Sequence, residues 1–100
     1  MAVTSKALAR TAAATSSTTL YTVPASTTAI VTNIVVTNSA ASAATFTITL
    51  DAVDIFKDAA IAANSTATFD LKQVLATTKI IAGLASAITV KFHISGVEIA

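Results

Sequence analysis

The sequence predicts an all-β protein: an antiparallel β-sandwich, jelly-roll or immunoglobulin-like, of about seven to eight short strands with an extended N-terminal arm. Three observations carry that expectation. Threonine, valine and isoleucine cluster together, and their branched Cβ atoms suit a pleated sheet and are stiff in a helix. Two segments, ATFTITL (Ala44 to Leu50) and ITVKFHI (Ile88 to Ile94), alternate apolar and polar residues with a period of two. Strand-like runs recur at a spacing of roughly 8 to 12 residues, with turn-forming residues between them, the profile of a sandwich or small barrel.

The opening MAVTSKALARTAAATSS is positive and acid-free, and it lacks the continuous apolar stretch of a secretory signal. Its Ala, Ser and Thr bury little area, so residues 1–17 are expected to be a flexible or partner-ordered arm and 18–100 the sandwich. Thr18 to Val23 reads as the first strand, closed by Pro24, which lacks the N–H a ladder needs. After a turn at Ala25 to Thr27 comes Ala29 to Asn38. Ile30, Ile34 and Val36 share one parity there and Val31, Asn33, Val35 and Thr37 the other, so both faces are partly apolar, as in a central strand or one against a second subunit.

Ser39 to Ala43 forms a loop, and Ala44 to Leu50 follows with Phe46, Ile48 and Leu50 inward and Thr45, Thr47 and Thr49 outward. Asp51 to Asp54 is a tight connection to a strand over Ile55 to Ile61, and Asn64 suits a turn before Thr66 to Leu71. Leu71 to Leu75 fits one turn of helix or a loop, followed by a short strand over Thr77 to Ala82 that ends at Gly83. The last strand points Ile88, Val90, Phe92 and Ile94 inward, and Gly96 permits a bulge before Val97 to Ile99.

Composition excludes several classes of function. One hundred residues make one domain. With 54% hydrophobic and 11% charged residues, against roughly 25% charged in an average protein, the chain is not a disordered tail. The absence of cysteine removes disulfide scaffolds, thiol catalysis and thiolate zinc sites. A net charge of +1 without a run of like charges gives no footprint for nucleic acid or an acidic membrane. The most apolar long window, Val74 to Val90, holds Lys79, Thr77, Thr78 and Ser86, unlike the roughly 20 apolar residues of a span.

Catalytic, cofactor-binding and metal-binding residues are all expected to be none. His93 is the sole histidine and reads as a surface or interface imidazole, since a triad or metal site needs partners. Asp51 and Asp54 bracket a turn; a calcium loop would need several more oxygen ligands. No Gly-rich phosphate loop or nucleophile-elbow pattern occurs, and Asn64-Ser65-Thr66, a match to the glycosylation acceptor, reads as a turn. The phenylalanines sit on apolar parities and read as core.

The segments Thr18 to Asp51, Asp54 to Leu75 and Ile88 to Ile99 together resemble a small β-sandwich module of tailed-bacteriophage virion proteins. The resemblance is carried by Y-T-V-P-A (Tyr21 to Ala25), a V-x-N strand and loop, A-N-S-T (Ala63 to Thr66) and S-G-V-E-I (Ser95 to Ile99). Where such modules carry glycine, in an A-G-T turn and in D-G-V, this chain has Ser26 and Ala52. The resemblance implies a non-enzymatic virion protein, first a capsid decoration or cement protein that binds and stabilises the shell, alternatively a tail, collar or fibre component for assembly or receptor contact. A chain running from Met1 to just past its last strand suits the free-standing decoration role.

Its expected partners are the major capsid or other virion proteins and copies of itself. Self-association is expected from the two apolar parities of Ala29 to Asn38 and from too few charges to guard sheet edges. A trimer is what the resemblance implies.

Overall fold

The computed structural model describes residues 2–100 and contains eight strands: β1 (Val3–Ala12), β2 (Thr18–Thr22), β3 (Thr28–Asn38), β4 (Ala44–Leu50), β5 (Val53–Ile61), β6 (Ser65–Leu75), β7 (Ile80–Ala85) and β8 (Val90–Ile99). They form two four-stranded sheets, ordered β1-β8-β3-β6 and β2-β7-β4-β5. The antiparallel pairs β1 with β8, β2 with β7, β3 with β6 and β4 with β5 always join strands whose numbers sum to nine. That is one long folded ribbon, and rolling it closes each sheet through β3 with β8 and β4 with β7. Of the two expected sandwich types, the strand order is that of the jelly roll.

The core between the sheets holds Phe46 and Phe92 with Ile34, Ile48, Ile81 and Ile94, all essentially without solvent contact. Phe46 is its hub, with ring centroids 5.6 Å from Phe56, 6.3 Å from Phe69 and 6.2 Å from Phe92. These tilted arrangements at 4.5–7 Å are the favourable ones for aromatic quadrupoles.

The N-terminal segment departs from expectation. Val3–Ala12 is no free arm but an edge strand of the first sheet, paired along β8 from Val3↔Ile99 to Ala12↔Lys91. Its small side chains bury little, yet backbone pairing does not depend on side-chain size, and β8 would otherwise leave a row of donors and acceptors open. A register shift at Leu8 lets Leu8 and the adjacent Ala9 both reach the core. Beyond the strand, the Ala13 amide donates to the Val90 carbonyl and Ala14 accepts from the Ala85 amide, tying the link to both sheets.

Strand β3 is a central strand with two partly apolar faces, as expected, but its residues divide between the faces differently from strict alternation. Its buried residues are Ala29 and Val31, then Ile34, Val36 and Asn38. Between Val31 and Asn33 the register shifts against both neighbours: Thr32 is an extra residue against β8, whereas on the other side Leu71 and Lys72 of β6 together face it. Ala29 and Val31 thus share one core face with Ile34 and Val36 across the bulge, while Ile30 and Val35 make the outer face partly apolar as well.

Further differences lie in the second half of the chain. Residues 71–75 continue β6, with no helical turn, and Leu75 plugs the core. Strand β7 begins at Ile80 and runs through Gly83 to Ala85. A Cβ at Gly83 would lie 3.0 Å from Leu20 and 3.2 Å from Phe92, so glycine there makes room for core side chains. Ile88 is exposed in the turn before β8, outside the core. Gly96 pairs with Val31 at the start of the β3–β8 register shift, so the bulge expected beside it is present, with its extra residue on β3; a Cβ at Gly96 would overlap the Ile30 carbonyl oxygen.

Candidate functional site

Charge is placed at the sheet edges. Of the 11 charged residues, Lys6 and Arg10 lie on β1, Asp54, Lys57 and Asp58 on β5, and Asp70 and Lys72 on β6. These three strands are edges, so the charges are concentrated where they block pairing with another chain. This overturns the expectation that charge is too scarce to guard the edges. The fourth edge, β2, is uncharged but only five residues long and interrupted by a register shift.

Three polar constellations stand out. The first links the sheets: the Tyr21 hydroxyl on β2 donates to Glu98 on β8, and Lys6 on β1 reaches the same carboxylate at 3.4 Å. The Tyr21 bond, opposed by desolvation and helped by Lys6, holds the Glu98 carboxyl below the usual carboxylate range. Burial, then the bond to Glu98 and its charge, pushes the Tyr21 phenol well up. A carboxyl with a lowered folded-state pKa stabilises the fold above its unfolded pKa, and that contribution is lost as pH falls through the folded value. The raised phenol acts at the other end: its contribution is present below the ordinary tyrosine range, near 10, and is lost as the pH climbs above it.

The second constellation surrounds Asn38, which is buried and fully bonded. Its amide donates to the Ser42 carbonyl at 2.9 Å and the Ala62 carbonyl at 3.3 Å, and its oxygen accepts from the Ala40 amide and the Thr89 hydroxyl. It thereby ties three connections together.

The third is the outward face of the β1-β8-β3-β6 sheet. Cross-strand register aligns Arg10, His93, Val35 and Thr68 in one row and Ala7, Ser95, Asn33 and Asp70 in the next. A shallow depression of about 370 Å³ opens here, lined by Arg10, Asn33, Val35, Thr37, His93 and Ser95. Asn33 donates to Asp70 at 3.2 Å. Further along the same face the character changes: Ser5, Val97, Ile30 and Val74 form one row and Val3, Ile99 and Thr28 another. Val3 and Val74 are 67% and 69% exposed, large values for aliphatic side chains on a regular strand.

His93 lies on this outer face, exposed, without a hydrogen bond or ion pair to another side chain among the described residues. Asp51 pairs with Lys79 at 3.6 Å beside the β4–β5 turn. Among the described residues no three His, Cys, Asp or Glu side chains come together. Asn64 takes a positive φ of 51°, as its turn requires. Sequence reasoning did not find the Arg10–His93 adjacency, the Tyr21–Glu98 bond or the aliphatic rows, because each depends on which distant strands are neighbours.

Comparison with known proteins returns no matching family model, no matching curated protein and no matching solved structure.

Proposed function

We propose that this protein is a non-enzymatic structural protein of a phage-type virion, a decoration protein that binds the capsid shell and stabilises it, and that it self-associates in doing so. One observation carries the reading: the residues behind the resemblance converge on the ties of the sandwich. Tyr21 of Y-T-V-P-A bonds Glu98 of S-G-V-E-I, 77 residues away. Asn38 of V-x-N fastens the loop that follows it, and the Asn64 amide of A-N-S-T donates to the Ala40 carbonyl of that same loop at 3.0 Å. Motifs scattered along the chain thus make two ties, one at each end of β3, which supports a shared module over chance matches of short strings. The eight-stranded jelly roll, an architecture used in viral capsid and lectin domains, supports the same reading by analogy of fold. The structural test is to purify particles with and without the protein and compare their survival on heating, then locate its density by imaging. Shell density together with higher heat resistance is expected; density on the tail would favour the tail or fibre role, and no particle association would end the proposal.

A further inference from the structure

The outward face of the β1-β8-β3-β6 sheet is complementary to itself under one symmetry operation. From its geometry we infer that a second copy of this chain packs on it, face to face, about a two-fold axis running parallel to the strands between β8 and β3. That rotation lays each cross-strand row over the same row reversed. In the row Ser5–Val97–Ile30–Val74 it sets Val97 over the second copy's Ile30, and Ile30 over its Val97. In the row Ala7–Ser95–Asn33–Asp70 it sets Asp70 over the small Ala7, within reach of the second copy's Arg10 in the adjoining row. Aliphatic side chains meet aliphatic ones and a cation on the β1 side meets an acid on the β6 side, twice, while Lys91 comes to lie over the second copy's Thr37 and Lys72 beside its β1 edge.

Two further considerations select a second copy as the occupant. Within one chain Arg10 and Asp70 are three strand spacings apart, about 14 Å, so neither satisfies the other at home. Four strands at about 4.8 Å by ten residues at about 3.3 Å give roughly 600 Å² in plan. A corrugated face of that plan approaches the roughly 800 Å² per partner of a standard interface. Aligned sheet packing at about 10 Å separation accommodates side chains of this size, with the usual rotation of about 30° from sheet twist. The contact is isologous and closes as a dimer.

This deepens the self-association in the proposed function and rests on that reading only there. Light scattering on the purified chain at micromolar concentration should give twice the monomer mass. Val97→Lys should give a monomer with an intact fold by circular dichroism. Arg10→Asp, at an exposed edge position, should weaken the dimer about tenfold or more. Adding Asp70→Arg in the same chain should restore it, a rescue that only an intermolecular pair allows. A monomeric or trimeric wild type, a Val97→Lys dimer of full strength, or no rescue by the charge swap would each overturn the inference. A dimer with rescue stands even if no particle binds it, and a monomer that still stabilises particles would keep the proposed function and end this inference.

Discussion

Strands β3 and β4 hold the same place in their sheets, each paired on both sides and each lining the core, yet they encode burial in opposite ways. The β4 sequence alternates without fault, and Ala44, Phe46, Ile48 and Leu50 are all buried as the alternation dictates. The β3 sequence does not alternate, and its core face is equally clean once Thr32 is counted as an extra residue. The outer faces reverse this order. Outer residues of β3, such as Ile30 and Val35, are half-buried within the single chain. On β4, Thr47 is 4% exposed despite its outward parity, because β5 breaks register beside it and the Asp58 amide donates to its hydroxyl at 3.0 Å. Period two identifies a strand; what is buried also depends on irregularities in its neighbours.

The sharpest way to break the comparison is to delete Thr32. Without the extra residue, β3 can keep either Ala29 and Val31 inward or Ile34 and Val36, but not both, since a one-residue slip turns every side chain to the opposite face. Loss of the cooperative fold is expected, seen as loss of dispersed amide resonances. A folded deletion variant would show that the bulge is dispensable. Next in size is Phe46→Ala on β4, which removes the hub of four rings and should cost about 3 to 5 kcal/mol in chemical denaturation.

What was legible in the sequence follows the same division. The Ala44 to Leu50 strand matches β4 at both ends, because a regular strand is a local pattern. Jelly-roll order, the pairing of Val3–Ala12 with β8 and the burial of Thr47 all depend on pairing partners distant in the chain, which side-chain periodicity does not report. Leu71 to Leu75 imitates a helical turn for a related reason: β6 is irregular opposite Thr32, with Leu71 and Lys72 outside the paired register, and alternation is lost locally. Of the candidate surface, alternation in β8 suffices to put His93 on the polar side of its strand, while the Arg10 beside it depends on pairing with a segment whose small side chains give no strand signal.

A matched pair of substitutions separates the two outer faces. Thr47→Lys is expected to cost more than about 2 kcal/mol, since it forces a long charged side chain into a filled position and takes the acceptor from the Asp58 amide. This reverses the tolerance that alternation alone assigns to an outward threonine. Thr37→Glu on β3 stands opposite Lys91 and, made in the monomeric Val97→Lys background, should stay within about 0.5 kcal/mol of that background. Equal costs in urea titrations would mean that the two faces are equally packed.

The smallest expected effect is a gain, at the turn joining β4 to β5. Asp51 and Ala52 lie between the paired residues Leu50 and Val53, with φ of 53° and 62°. A two-residue hairpin with both φ values positive strongly favours Asp-Gly, because a Cβ in the left-handed region costs about 1 to 2 kcal/mol. Ala52 is thus a strained residue, and so is Ser26, with φ of 57°. Ala52→Gly relieves the strain but loosens the unfolded chain, an opposing term of about 0.4 to 1 kcal/mol. A net stabilisation of up to about 1 kcal/mol is expected, read as a higher melting temperature with unchanged cooperativity. A lower melting temperature would mean that the turn relaxes to a conformation alanine adopts freely, leaving β4 and β5 held in register by their side chains alone.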